Sequence, residues 1–178
     1  SRIQAVACIH RSLQQGREFD RLELCPALAE IAREAIAALG VEDHIAVTIS
    51  CPQGLTMATD RAVALLLMTT ELITNSLKHA YPDSNKGSVR ISVSGAQRQL
   101  LLQVDDDGRG LPSDFDPRAG NGLGMRIVQG LVAQLGGELQ MEAQSLGAHF
   151  RVRMPRDAPK NAPRDRPRNL SSNLTRMI

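Results

Sequence analysis

The sequence predicts an α+β domain: a two-layer α/β sandwich in which one mixed, mostly antiparallel sheet carries three main helices on one face. Three observations lead there. Three long segments repeat apolar residues with a helical period, six shorter ones read as strands, and the two kinds lack the strict alternation of a doubly wound sheet. A chain of 178 residues that is 42% hydrophobic has material for one substantial core.

The elements follow in order. Ile3 to Gln15 places Ile3, Val6, Ala7, Ile9 and Leu13 at a roughly helical period, the end of a preceding helical element that Gly16 closes. Pro26 to Leu39 carries Leu28, Ile31, Ala32, Ala35, Ile36 and Leu39 on one stripe, with Gly40 placed to cap it. Alternation of Ile45, Val47 and Ile49 makes His44 to Cys51 a half-buried strand, and a short strand follows at Leu55 to Met57. Asp60 offers an N-cap to a helix that runs to Ala80, where Pro82 ends it. Ser88 to Ser94 and Leu100 to Asp105 are strands joined by a turn around Gly95 and Ala96. A polar Gly- and Pro-rich stretch, Asp106 to Asn121, is too long for a simple connection. Gly122 to Leu135 returns to helix, closed by Gly136 and Gly137, and Glu138 to Ala143 with His149 to Met154 form a last strand pair.

Composition excludes several function classes. With three Phe, one Tyr and no Trp, the chain has few rings on which to stack single-stranded bases. The net charge of +2 conceals a basic tail: Arg156, Lys160, Arg164, Arg166, Arg168 and Arg176 face only Asp157 and Asp165 there. Four prolines between 155 and 167 leave that tail too little apolar surface to order itself. Its charges read as solvated, so nucleic acid is an unlikely partner. Cys8, Cys25 and Cys51 have neither the even count nor the spacing of a disulfide framework or a zinc site, which fits a reducing cytoplasm. The longest apolar run, Ala62 to Met68, is too short to span a bilayer. Opening at Ser1 within a helical pattern, the chain reads as a piece of a larger protein.

Three stretches carry chemistry. In ELITNSLKHAY, Glu71, Asn75, Lys78 and His79 fall on one helical arc of about 100°, opposite Leu66, Ile73, Leu77 and Ala80. Such an arc is either a solvated face or a site. An amide and a carboxylate one turn apart can share a hydrated cation, and the Lys and His beyond them can meet phosphate oxygens. In VDDDGRG, an apolar strand runs into acids and glycines. Gly108 and Gly110 let backbone approach a flat ligand, and Asp107 can accept from an exocyclic amine. A calcium loop fits less well, because Arg109 would stand at a ligand position. In GNGLGM, Gly120 to Met125, free N–H groups at a helix start favour anionic oxygens such as phosphate. A dinucleotide fold would need a strand directly before these glycines, and DFDPRA is not one.

In this order and spacing, TELITNSLKHAYP, VDDDGRGLP and NGLGMRIVQGLVAQLGGEL resemble the Bergerat or GHKL ATP-binding domain shared by histidine kinases, type II topoisomerases, mismatch-repair ATPases and a chaperone class. They are most similar to the catalytic domain of a sensor histidine kinase, of the HWE-like or a closely related subfamily. The resemblance implies a domain over 21–155, preceded at 1–16 by the end of a dimerisation-type helix and followed by the tail 156–178. It further implies ATP and Mg²⁺ as ligands. Asn75 would hold the metal, Glu71 would act near the γ-phosphate, and Lys78 and His79 would face the phosphates. Asp107, with Gly108 and Gly110, would hold adenine. Gly122, Leu123 and Gly124 would form the hinge and phosphate end of a lid spanning Leu111 to Asn121.

Implied partners are a phosphoacceptor histidine on a dimerisation domain largely outside this chain, a response-regulator receiver domain reached by phosphorelay, and a second copy of the parent kinase. His10 is weighed as acceptor and read instead as a packing residue, since in the resembling kinases that histidine lies further upstream. The sequence departs from the family at Ala148, where Thr or Ser is frequent near the adenine, and the Trp that names the HWE group is missing. Two other readings remain: an anti-sigma-factor-type serine kinase, and a nucleotide-binding regulatory module that transfers no phosphate.

Overall fold

A computed structural model describes residues 21–41, 43–82, 86–96, 98–111, 122–143 and 147–156. The leading helix with Cys8 and His10, nearly all of the lid and most of the basic tail lie outside the described residues.

Two short strands, β1 (Arg21–Glu23) and β3 (Thr56–Ala58), pair antiparallel beside the main sheet. Between them stands helix α1, Leu24–Leu39. It begins two residues before the sequence expectation because Pro26 lies within the first turn, where a missing N–H costs nothing. Leu24, Leu28, Ile31, Ala32 and Ala35 form its buried stripe, and Gly40, at φ 64°, donates its N–H to the Ile36 carbonyl as the expected cap.

Strand β2 (Ile45–Ser50) follows, and α2 (Thr59–His79) crosses from β3 back over the sheet. The residue before α2 is Ala58, with no side-chain cap; Asp60, expected to be the N-cap, sits inside the first turn instead, where its charge still favours the helix dipole. Leu65, Met68, Leu72 and Ile73 of α2 are fully buried. Arg61 is buried as well. Its Nη2 donates to the Leu135 and Pro155 carbonyls at 2.9 and 2.7 Å, joining the start of α2 to the ends of α3 (Leu123–Gln134) and β7 (Ala148–Pro155).

The remaining strands are β4 (Gly87–Ala96), β5 (Gln99–Asp106) and β6 (Glu138–Ala143). The sheet order is β2-β4-β5-β7-β6, with β2 parallel to β4 and every other pair antiparallel. This is the mixed, mostly antiparallel sheet the sequence predicts. Val89, Ile91 and Val93, Leu100, Leu102 and Val104, and Phe150, Val152 and Met154 build the face the helices cover. On the other face, Asp105 meets His149 in register, and Arg151 reaches diagonally to Glu142.

One expectation fails outright. Cys25 and Cys51 are joined in a disulfide with Cα atoms 5.7 Å apart. Their 26-residue separation hides the reason. The start of α1 is stitched to the turn after β2 by Leu24 N–H to the Leu55 carbonyl and by Gly54 N–H to Glu23 Oε1, which brings the two sulfurs together. Among the described residues no helix is long and apolar enough to cross a membrane.

Candidate functional site

The C-terminal half of α2, the end of β5 and the start of α3 enclose a hollow of about 380 Å³, within the range of small-molecule sites. From α2 it is bordered by Asn75, Ser76, His79 and Ala80; from the β5 exit by Asp106, Arg109, Gly110 and Leu111. Gly122, Gly124 and Met125 close one end, and Ala148 and Phe150 of β7 form the floor. Four segments far apart in sequence thus meet at one cavity.

Asn75, His79, Gly110, Gly122 and Gly124 all line this hollow, as the motifs suggest. Glu71 does not line it but lies beside Gly124, which does: a Cβ on Gly124 would lie 2.9 Å from Glu71 Oε2 and 3.7 Å from Asn75 Oδ1, so a side chain there would displace the Glu71 carboxylate. Lys78 is exposed and Leu123 is 63% exposed, and neither lines the cavity. Gly108 is buried beneath the floor of the loop, where a Cβ would strike the Ala80 carbonyl at 2.4 Å.

Asp107 is not brought to the hollow. Its Oδ1 accepts from Ser88 N–H at 2.7 Å and lies 2.8 Å from the Tyr81 hydroxyl, while Oδ2 accepts from the Ser88 hydroxyl at 2.7 Å. Partial burial acts to raise this carboxyl, but the Ser88 and Tyr81 donors outweigh it and hold the group below its ordinary 3.8. The Tyr81 hydroxyl is pushed above its ordinary range by burial and by its bond to Asp107.

The acid that does face the cavity is Asp106, only 5% exposed. Its Oδ2 accepts from Ser76 Oγ at 2.8 Å, and its Oδ1 accepts from the Gly108 and Ala148 N–H groups at 3.2 and 3.1 Å. Strand alternation carries the signal for it. Leu100, Leu102 and Val104 point to the helices, and one further step of two reaches Asp106, leaving Asp105 and Asp107 on the opposite side. Ser76 has a signal too, as a polar residue on the buried side of α2 with Leu72, Ile73 and Leu77. Arg109 had none. Its N–H is spent on the Ala80 carbonyl, and its side chain borders the cavity mouth.

A family model described as histidine kinase-, DNA gyrase B- and HSP90-like ATPase matches residues 60–158. The chain belongs to this ATPase family. Among named members, the sensor histidine kinase PdtaS of Mycobacterium tuberculosis is 41% identical over 99 residues, covering 54% of this chain and 20% of that protein. Blue-light-activated histidine kinase 2 of Erythrobacter litoralis is 42% identical over 91 residues, covering 50% of this chain and 26% of its own length. The chain therefore spans about a fifth to a quarter of these relatives. In three dimensions it is similar to the histidine kinase domain of the Erythrobacter litoralis EL346 blue-light activated kinase, with a TM-score of 0.79 at 29% identity, over 87% of this chain and 73% of that one. The family match begins at Asp60, one residue into α2, and takes in every residue that lines the hollow.

Proposed function

We propose that this chain is the catalytic domain of a two-component sensor histidine kinase, binding ATP with Mg²⁺ and passing the γ-phosphate to a histidine on a dimerisation domain largely outside residues 1–178. Residues 21–155 are the ATP-binding domain in this reading, 1–16 the end of a dimerisation-type helix, and 156–178 a tail. The parent acts as a homodimer and hands the phosphoryl group on to a receiver domain. We place it on the cytoplasmic side, where ATP is available and where the Cys25–Cys51 bond is open to reduction.

One observation carries the proposal: a buried carboxylate that lines the cavity and whose fixed donors do not exhaust its acceptor sites. Asp106 is held by Ser76, Gly108 and Ala148. A carboxylate offers about four lone-pair sites, so one remains for the exocyclic amine of adenine. Guanine would turn a carbonyl oxygen toward it and be rejected. The adenine role that the sequence assigns to Asp107 passes to Asp106.

The donor set fits a metal that shares the triphosphate. Among the described residues no group of three or more His, Cys, Asp or Glu could form a cage by itself. Mg²⁺ in phosphoryl-transfer sites typically takes few protein ligands and completes its shell with phosphate oxygens and water. Asn75, with its Oδ1 toward Gly124, would hold it, and Glu71 beside Gly124 would orient the acceptor side of the reaction. Lys78 on the neighbouring exposed position supplies positive charge for the phosphates, His79 at the cavity wall supplies a ring N–H donor, and the N–H groups at the α3 start, behind Gly122 and Gly124, add the helix dipole. When bound, the metal neutralises charge on the transferred group; positioning by these residues does the rest.

Calorimetry of the folded 178-residue chain with Mg-ATP tests the binding, and an absence of binding heat refutes it. Acid treatment of the phosphorylated parent tests the chemistry. Phosphohistidine is lost in acid, whereas a label that survives would favour a serine kinase. Glu71 and Asn75 both border Gly124, which favours catalysis over a silent nucleotide-binding module.

A further inference from the structure

Tyr81, Ser88 and Asp107 take no direct part in the proposed reaction, yet they are bonded into one cluster behind the cavity. Tyr81 follows the last turn of α2 and is the only tyrosine in the chain. Its ring packs on the start of β4, where a Cβ on Gly87 would fall 1.9 Å from ring atom Cε1; the seat exists because residue 87 is glycine. The hydroxyl lies 2.6 Å from the Ser88 carbonyl oxygen and 2.8 Å from Asp107 Oδ1, and its one proton serves either acceptor. Ser88 grips the same carboxylate with its N–H and its hydroxyl, both at 2.7 Å, while Asp107 N–H donates to the Ser88 carbonyl at 3.2 Å.

An acid in an ordinary exposed turn is solvated and free to rotate. Here three protein donors fix one. What they fix is the loop carrying the acid at the base end of the hollow, since Asp106 precedes Asp107 and takes a hydrogen bond from the N–H of Gly108 just after it. The loop is thus tied from both sides: Asp106 inward to Ser76 and Ala148, Asp107 outward to Tyr81 and Ser88, and Arg109 N–H to the Ala80 carbonyl.

We infer that Tyr81, Ser88 and Asp107 form a latch that positions the Asp106–Gly110 loop for base recognition, with Asp107 acting through Asp106 and never touching the nucleotide. The inference rests on reading the hollow as an adenine-nucleotide site. Tyr81 and Asp107 are positioning residues, so their loss blurs the base end and leaves the phosphate end alone.

The test compares Tyr81→Phe, Asp107→Asn and Ser88→Ala with Asp106→Asn in the full chain, measuring dissociation constants for ATP, ADP, AMP and GTP. Tyr81→Phe keeps the ring on Gly87 and removes only the hydroxyl. Each latch variant is expected to weaken all three adenine nucleotides by one common factor of about three to ten, the size of a lost hydrogen bond, and to narrow the preference for ATP over GTP. A merely structural role would lower melting temperature without moving that preference. The Tyr81→Phe, Asp107→Asn double variant should be little worse than Asp107→Asn alone, because one contact joins them. If Asp106→Asn destroys binding while Tyr81→Phe and Ser88→Ala bind ATP and GTP as the parent does, the latch is wrong and the site stands. If Asp107→Asn loses as much as Asp106→Asn while Tyr81→Phe loses nothing, Asp107 contacts the base itself and the latch is again wrong. If Asp106→Asn changes nothing, the adenine site itself falls. Should Asp107→Asn fail to fold, Tyr81→Phe and Ser88→Ala carry the comparison.

Discussion

Replacing Asp106 with Asn separates recognition from folding. The two backbone N–H groups on Oδ1, from Gly108 and Ala148 at 3.2 and 3.1 Å, cannot turn, so the substituted side chain must keep its oxygen there. The amide nitrogen then occupies the Oδ2 position. The Ser76 hydroxyl, 2.8 Å away, can rotate to accept from it, so every buried group keeps a partner. The fold loses charge assistance on these bonds and little else, about 1–2 kcal/mol by denaturant titration. Nucleotide binding fares worse, because the adenine amine now meets a donor or loses a charged acceptor. A hydrogen bond to a charged group contributes about 1.5–3 kcal/mol, which predicts a rise in the ATP dissociation constant of about 10- to 150-fold. Calorimetry on samples with matched unfolding curves reads this directly. ATP affinity equal to that of the parent chain would remove Asp106 from recognition and undo the reasoning.

Further outcomes follow from the same coordinates. Asn75→Ala removes a half-buried amide at the cavity wall and should abolish Mg-ATP affinity while shifting the melting temperature by a few degrees at most; a variant that does not fold would show Asn75 to be a packing residue. Arg61→Met leaves the Leu135 and Pro155 carbonyls without their buried donor and should cost about 2–4 kcal/mol of unfolding free energy, with unchanged ATP affinity in the folded fraction. Because the Asp107 carboxyl is held below 3.8, its stabilisation is present above that pH and is lost as pH falls through the lower folded-state value; acid titration of Asp107→Asn should lack that component, and identical acid unfolding of both chains would contradict it. Reducing the Cys25–Cys51 bond, which closes a 26-residue separation, should lower stability by about 3.5 kcal/mol on the chain-entropy argument. Equal denaturation curves with and without reductant, after thiol labelling shows the bond opened, would count against it.

Most of the fold was legible because burial imposes a period on the chain. Leu28, Ile31, Ala32 and Ala35 announce α1, and the alternating apolar residues of β4 and β5 announce the sheet. What stayed hidden depends on partners distant in sequence. Strand β1 has three residues and exists only because Thr56 to Ala58 pair with it. The disulfide needs the α1 start to meet the turn after β2. Ala58 precedes α2 without a side-chain cap, so no residue type there marks the boundary, whereas Asp60, whose chemistry suits a cap, lies inside the first turn. At the cavity, Asn75 and His79, with Glu71 beside Gly124, were readable because polar groups on a helix in an aliphatic run stand out. Asp107 stands nearer the glycines in sequence, but the alternation visible in β5 turns Asp106, not Asp107, to the buried side that the cavity borders.

Three neighbouring aspartates at the end of β5 have three different surroundings: Asp105 meets His149 on the open face, Asp106 enters the cavity and Asp107 is gripped from β4. A genetic corollary follows. In-frame loss of any one of these three codons yields the same protein, VDDGRG, with two acids left to fill three posts. Such a lesion should behave as a null allele, whereas exchanging a single aspartate for another residue should give graded, separable defects.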